Sequence, residues 1–154
     1  MALLKKIIVF LFLNFSALAV GLLLSGNGAS SDWYQNLEKA PWTPPGWVFG
    51  AAWTTIMVAF SIFMSLLLQT SKNHKKILQL FAIQWLLNVA WNPAFFYLHQ
   101  PWAGLFVLLP LTALVAYWCI KYIPTLKMNV LWISPYLIWL CVATSLNAYV
   151  VLYN

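Results

Sequence analysis

Five stretches of this chain are apolar on most faces and hold no Asp, Glu, Lys, Arg or His: residues 7–24, 47–68, 77–98, 102–120 and 130–152. Each approaches the roughly 20 apolar residues a helix needs to cross a bilayer. Strands are a poor alternative, because a membrane barrel alternates apolar and polar positions over about ten residues. The segments between the stretches are short, apart from residues 25–46. The pattern predicts an all-α integral membrane protein, a five-transmembrane-helix bundle forming one domain over residues 1–154.

The lysines orient the bundle. Lys5, Lys6, Lys72, Lys75, Lys76, Lys121 and Lys127 fall on one side of the predicted spans, and Lys39 alone on the other. The positive-inside rule therefore places the N-terminus in the cytoplasm. A bacterial cytoplasmic membrane is the first expectation. The first span also has the outline of a signal peptide, with Lys5-Lys6 ahead of it and Gly28-Ala29-Ser30 behind. Its apolar run exceeds the usual signal core of about 7–15 residues, which favours retention.

Composition narrows the field. The 154 residues are 64 % apolar and only 6 % charged, against roughly 25 % charged in a soluble domain. Disorder, a secreted disulfide scaffold and most soluble folds are excluded. The net charge of +6 comes from scattered lysines in a very apolar chain. It points to a membrane surface rather than to nucleic acid. Cys119 and Cys141 lie in apolar runs without redox or metal spacing and read as small packing residues.

Polar residues inside the spans are the candidates for chemistry. Gln84, Asn88 and Asn92 recur every four residues, on one helical face that Phe95 continues. Amides are costly in hydrocarbon unless bonded. They serve either interhelical hydrogen bonds, worth about 0.6 kcal/mol each, or a ligand pocket. Tyr136, Trp139, Ala143 and Asn147 form a second stripe. Of ten tryptophans, Trp33, Trp42, Trp47, Trp102 and Trp132 lie near span ends, as an interfacial belt would. Trp53, Trp91 and Trp139 lie deeper, where an indole N–H needs a partner or a ligand. Pro93, Pro110 and Pro135 should kink or reset their helices.

The aromatic loop 25–46 begins in a Ser25-Gly26-Asn27-Gly28 turn and ends in Thr43-Pro44-Pro45-Gly46. There Thr43 is the expected helix cap. Asp32 and Glu38 have Lys39 as an expected partner. No span holds an ionisable pair, so an ion-coupled pump is not expected. His74 and His99 fall at opposite ends of a span, too far apart to share a metal. No nucleophile–base arrangement and no phosphate loop is present.

These residues also compose a known pattern. Trp33-Tyr34-x-x-Leu37-x-Lys39, Pro41-Trp42-Thr43-Pro44-Pro45-Gly46 and Trp53 open it. Gln84-x-x-x-Asn88-x-x-Trp91-Asn92-x-x-Phe95-Phe96 and Pro135-Tyr136-x-x-Trp139-x-x-x-Ala143-Thr144-x-Leu146-Asn147 complete it. Together they resemble the TspO/MBR family of tryptophan-rich sensory proteins and the mitochondrial translocator protein (peripheral benzodiazepine receptor). The resemblance implies a five-helix membrane protein, usually a homodimer. It implies binding of protoporphyrin IX, haem-related tetrapyrroles and benzodiazepine-site ligands, with no cofactor required. Carried over by motif, the pocket lining is Tyr34, Pro44, Trp53, Asn88, Asn92, Phe95, Trp139, Ala143 and Leu146. The carboxylates of a bound porphyrin would meet Lys39 at the mouth.

The resemblance also implies two alternatives to a sensor, carrier or regulator. One is light-dependent porphyrin breakdown, with Trp53 and Trp139 as the catalytic residues. The other is a lipid, sterol or metabolite transporter. Two departures stand out. No basic residue follows Tyr149, where animal members carry a cholesterol-contact pattern. Ile83 and Leu87 replace a small-residue pair that some members use for dimer packing, with Ala90 and Ala94 the nearest substitutes.

Overall fold

The structure, a computed structural model, describes residues 2–154. The described residues are all helical or in connecting turns. Five long helices dominate: α1 (Leu3–Leu24), α3 (Gly46–Thr70), α4 (His74–Asn92), α5 (Pro101–Lys121) and α7 (Ser134–Tyr153). Two short ones, α2 (Asp32–Asn36) and α6 (Ile123–Leu126), lie in the connections. Four helical stretches are long and apolar enough to cross a membrane: those containing α1, α3, α5 and α7. The fifth, α4, is diluted by Gln79, Gln84, Asn88 and Asn92 and by the basic residues of its first turn.

The turns follow from local chemistry. α1 stops at Ser25, whose hydroxyl donates to the Leu22 carbonyl at 2.7 Å. Gly26 and Gly28 then turn the chain at φ +61° and +52°, a region open to glycine without a Cβ clash. Asn73 caps α4 by accepting the Lys76 N–H at 3.3 Å. At the other end of α4, Pro93 has no N–H to give. The helix widens there into one π turn over Pro93–Tyr97, closed by Leu98 N–H to the Pro93 carbonyl at 2.9 Å. His99, at φ +53°, reverses the chain into α5. Pro135 sits in the first turn of α7, where a missing N–H costs nothing. Pro110 lies inside α5.

Two local expectations are corrected. Thr43 does not cap α3. Its hydroxyl donates to the Ala40 carbonyl at 2.7 Å, closing a turn that its own N–H also closes at 2.9 Å. Pro44 and Pro45 then separate it from a helix that starts without a side-chain cap. Lys39 does not pair with Asp32 or Glu38. It donates to the Gln35 carbonyl at 3.1 Å and lies 4.8 Å from the Tyr34 ring centre. An exposed ion pair is worth at most about 1 kcal/mol, too little to override these local contacts.

The helices close a ring in the order α1, α4, α5, α7, α3 and back to α1. α3 is the most enclosed: half its apolar stretch is buried, against 22 % for that of α1. Phe60, Phe63, Met64 and Leu67 of α3 meet Ile77 of α4, Trp118 of α5 and Ile133 before α7, all fully buried. The ring of Phe60 touches Phe63, Phe81, Trp118 and Tyr136 at centroid distances of 5.2–6.1 Å. One buried polar pair joins α1 to α3, with Asn14 donating to Ser61 Oγ at 2.8 Å.

Candidate ligand site

The site lies in the half of the bundle that the 25–46 loop covers. Its deeper part is built on Tyr136. The phenol oxygen accepts the amide N–H of Gln84 at 2.7 Å and that of Asn88 at 3.1 Å. All three side chains are buried. Gln84 Oε1, buried in the same cluster, has no hydrogen-bond partner among the described residues. The Trp53 ring meets the Tyr136 ring at 6.2 Å, edge to face. One turn along α7, buried Trp139 meets Phe49 of α3 at 5.2 Å in the same geometry.

The upper part is aromatic. Phe95 is buried under the loop, because the π turn carries it inward with Phe96. It stacks on Trp91 at 5.3 Å and receives Trp33 and Tyr34 of α2 at 5.5 and 6.3 Å. Asn147 of α7 holds the floor. Its carbonyl oxygen accepts the Trp91 indole N–H at 3.1 Å, and its amide donates to the Pro101 carbonyl at 2.8 Å. Gly104 makes room for this: a Cβ there would stand 2.7 Å from Asn147 Oδ1 and 3.2 Å from Phe95. Burial raises the Tyr34 hydroxyl above the ordinary phenol range, so it is neutral throughout the physiological range.

The loop is fastened on two sides. On the α4 side, Trp33 stacks on His99 at 4.5 Å. On the α7 side, the Trp42 indole donates to Ser145 Oγ at 3.1 Å and its ring meets Tyr149 at 5.5 Å. Asn154 accepts the Glu38 N–H at 2.8 Å and donates to the Glu38 carbonyl at 3.1 Å.

The residues expected from sequence fall into groups. Asn88 and Trp53 meet at Tyr136, and Trp139 lies one turn farther on. Tyr34 and Phe95 meet in the upper cluster. Ala143, half-buried on α7, packs against the core between the two, and Leu146 is half-buried one turn on. Pro44 is half-buried just before α3. Asn92 is turned away from Tyr136: its amide nitrogen would be 2.6 Å from a Cβ on Gly21 of α1. The amide face is thus split between Tyr136 and α1.

Trp33 departs from the interfacial belt. It is half-buried between Phe95 and His99, whereas Trp42, Trp47, Trp102 and Trp132 are exposed. Sequence reasoning left Gln84 and Tyr136 out of the lining. Their places in the two stripes were the available signal.

The packing is tight. Two rings stacked with centres 5.3 Å apart admit no third ring between them. An open groove of about 590 Å³ runs outside the upper cluster past Trp33, His99, Trp102 and Asn154. A smaller one of about 330 Å³ lies between α3 and α7, bordered by Ala52, Ile138 and Trp139. Trp139 therefore faces the Phe49 ring on one side and an outward groove on another.

Comparison with known proteins decides the lineage. The TspO/MBR family pattern matches residues 8–153, nearly the whole chain. The chain belongs to the TspO/MBR family. Among its TspO relatives, the tryptophan-rich protein TspO of Chlorobaculum tepidum is 32 % identical over 142 residues, covering 85 % of this chain and 90 % of the relative. Protein CrtK of Rhodobacter capsulatus is 35 % identical over 118 residues, 75 % and 74 % of the two chains. The human translocator protein is 31 % identical over 125 residues, covering 79 % and 74 %. This TspO-family chain is a helical membrane protein whose relatives carry sensory and translocator names.

Proposed function

We propose that this protein binds tetrapyrroles, protoporphyrin IX and haem-related rings among them, between its helices beneath the 25–46 loop. In this reading it acts as a sensor, carrier or regulator of tetrapyrrole metabolism. The supporting observation is the buried polar cluster of Tyr136, Gln84 and Asn88 beside the Trp53 ring, in which Gln84 Oε1 has no partner among the described residues. A flat apolar ring with polar edges needs aromatic faces and a few fixed donors. Trp53, Trp139 and Phe95 supply faces. Asn88, Tyr136 and, at the mouth, Lys39 supply donors. Admission of the ring requires the stacked upper cluster to part. The benzodiazepine-site ligands of the family are smaller aromatic candidates for the same place.

The same reading has all five long helices crossing the membrane, α4 among them, because its amides turn inward to Tyr136 and α1 rather than toward lipid. The seven-lysine end faces the cytoplasm of a bacterium, and the protein works as a homodimer. The test is a titration with protoporphyrin IX in detergent, in darkness, following tryptophan fluorescence and porphyrin absorbance. Saturable quenching at micromolar porphyrin, weakened at least several-fold by Tyr136→Phe, is expected. Unsaturable quenching, identical in wild type and variant, overturns the reading. Illumination of the same samples separates binding from breakdown. Bleaching that needs light and is lost in Trp53→Phe and Trp139→Phe would make the protein a photo-oxidative enzyme.

A further inference from the structure

We propose that His99 is a pH-sensitive latch for the 25–46 loop: protonation of its imidazole tightens the stack with Trp33 and holds the loop closed. The backbone fixes where this imidazole stands. His99 follows the π turn at φ +53°, a region in which His is one of the few enriched side chains. The Leu98 N–H before it bonds the Pro93 carbonyl at 2.9 Å, and the Gln100 N–H after it bonds the Ala94 carbonyl at 3.2 Å. The ring is thus presented from a pinned reversal between α4 and α5. It is exposed, so water reaches its nitrogens.

Trp33 is the loop's side of the contact. Its ring centre lies 4.5 Å from that of the imidazole, with the planes 19° apart, and it meets Phe95 edge to face at 5.5 Å. Trp33 belongs to α2, so its hold sets where the loop lies over Phe95. A neutral imidazole brings only dispersion to such a stack. An imidazolium, within about 6 Å of an indole face, adds the attraction of a cation for the ring quadrupole. Histidine is the side chain that ordinarily changes charge between about pH 5 and 8. The fastening on the α7 side is built from amide, indole, hydroxyl and backbone groups, through Asn154 with Glu38 and Trp42 with Ser145. Acidification therefore strengthens the α4 side selectively.

The surroundings single out the imidazole. The groove beside His99 is bordered by Asn36 and Leu37 of the loop, Pro101 and Trp102 of α5 and Asn154 at the end of α7, and none of its other lining side chains is ionisable. The ionisable residues of the flanking elements are Asp32, Tyr34, Glu38 and Lys39 in the loop, Tyr97 before His99, and Tyr149 and Tyr153 on α7. Lys39 is engaged over the Tyr34 ring, and Tyr149 stacks on Tyr153 at 4.2 Å. α5 offers none before Tyr117. Carboxylates ordinarily titrate at about pH 4 and phenols and lysines at about pH 10, which leaves the window between them to imidazole. His74 stands at the opposite end of α4. That the loop governs access of a ligand rests on the function proposed above, but the latch itself does not.

The experiment is hydrogen exchange of the full chain in detergent, without ligand, at about pH 5.5 and about pH 8, with rates corrected for the intrinsic effect of pH. The amides of Gln35 and Leu37, bonded to the Ser31 and Tyr34 carbonyls, report the loop. In wild type their protection should rise about two- to fivefold at the lower pH, the worth of an exposed cation–π contact. That response should vanish in His99→Asn, which suits the same backbone but has no ring to protonate. It should vanish in Trp33→Leu, which keeps the imidazole and removes its partner face. His99→Arg, flat and charged at both pH values, should keep the loop protected at both. His74→Asn should respond as wild type does. A wild-type loop that loosens or stays unchanged on acidification, or a response that survives in any of the three variants at the stack, would overturn the proposal. Failure of protoporphyrin IX to bind would sink the proposed function and leave these outcomes standing, so the two readings fail separately.

Discussion

The two halves of the bundle solve packing differently. Toward the lysine end, Phe60, Phe63, Met64, Leu67 and Trp118 are fully buried and interlocked. Toward the loop end, rings meet at similar distances but are tethered by side-chain hydrogen bonds: Trp91 to Asn147 and Trp42 to Ser145. That end also holds the π turn, the positive-φ His99 and two open grooves. A jigsaw core resists change, because any shift forfeits many contacts at once. A cluster of stacked and edge-to-face rings loses less when it parts, since each pair contributes only about 0.5–1.5 kcal/mol beyond burial. The contrast assigns rigidity to one end and ligand admission to the other.

The largest effect should come from the rigid half. Phe60→Ala is expected to cost about 3–5 kcal/mol, the range for a buried phenylalanine that leaves a cavity. Trp33→Ala, which removes the stack on His99 and the edge contact with Phe95, should cost about 1–2 kcal/mol. Thermal unfolding in the same detergent compares the two. Equal losses would erase the distinction between the halves.

Tyr136 sits where the halves meet, touching Phe60 at 5.2 Å and holding Gln84 and Asn88. Tyr136→Phe strands two buried amide donors and should cost about 1–3 kcal/mol. Adding Gln84→Leu should cost less than the sum of the single changes, because it removes a stranded group. Strict additivity in that cycle would show that the phenol does not hold Gln84. Gly104→Ala belongs in the same range, about 1–3 kcal/mol, since its Cβ would press on Asn147 and Phe95 together. If Gly104→Ala unfolds at the wild-type temperature, the floor of the upper cluster is loose enough to admit a methyl group.

Sequence period carried the helices well. The stretch 47–68 became Gly46–Thr70 and 102–120 became Pro101–Lys121, because long apolar runs leave the backbone no other way to satisfy its N–H and C=O groups. Family membership was legible for a different reason: motifs such as Trp91-Asn92-x-x-Phe95-Phe96 are specific as strings. Directions of side chains were not legible. Gln84, Asn88 and Asn92 share a face by spacing, yet a helical face is broad. Step by step along it, Asn88 still meets Tyr136 while Asn92 meets Gly21. The apolar stretch 130–152 lies within one membrane-length helical stretch, but its first residues, 130–133, are 3-10 rather than α-helical, and α7 proper starts at Ser134 with Pro135 in its first turn. Thr43 failed as a cap because α3 starts only at Gly46, with Pro45 in the cap position, so its hydroxyl lies two residues too early to reach the helix's free N–H groups. Its donation to Ala40 is not the cause, since Ser31 donates to the Gly28 carbonyl and still caps α2.

The smallest effect should come from the latch between the loop and α7. Asn154 holds Glu38 through both its N–H and its carbonyl, in an exposed setting where water competes for each bond. Asn154→Ala should therefore change global stability by under about 1 kcal/mol. Its effect should appear locally instead. The Glu38 amide loses its acceptor, so its hydrogen exchange should quicken several-fold while that of the Phe60 region stays unchanged. A flexible, detachable latch predicts that asymmetry. If exchange quickens equally in both regions, the loop and the rigid half open as one cooperative unit. If the Glu38 amide is unaffected, the Trp42 contacts with Ser145 and Tyr149 hold the loop without it.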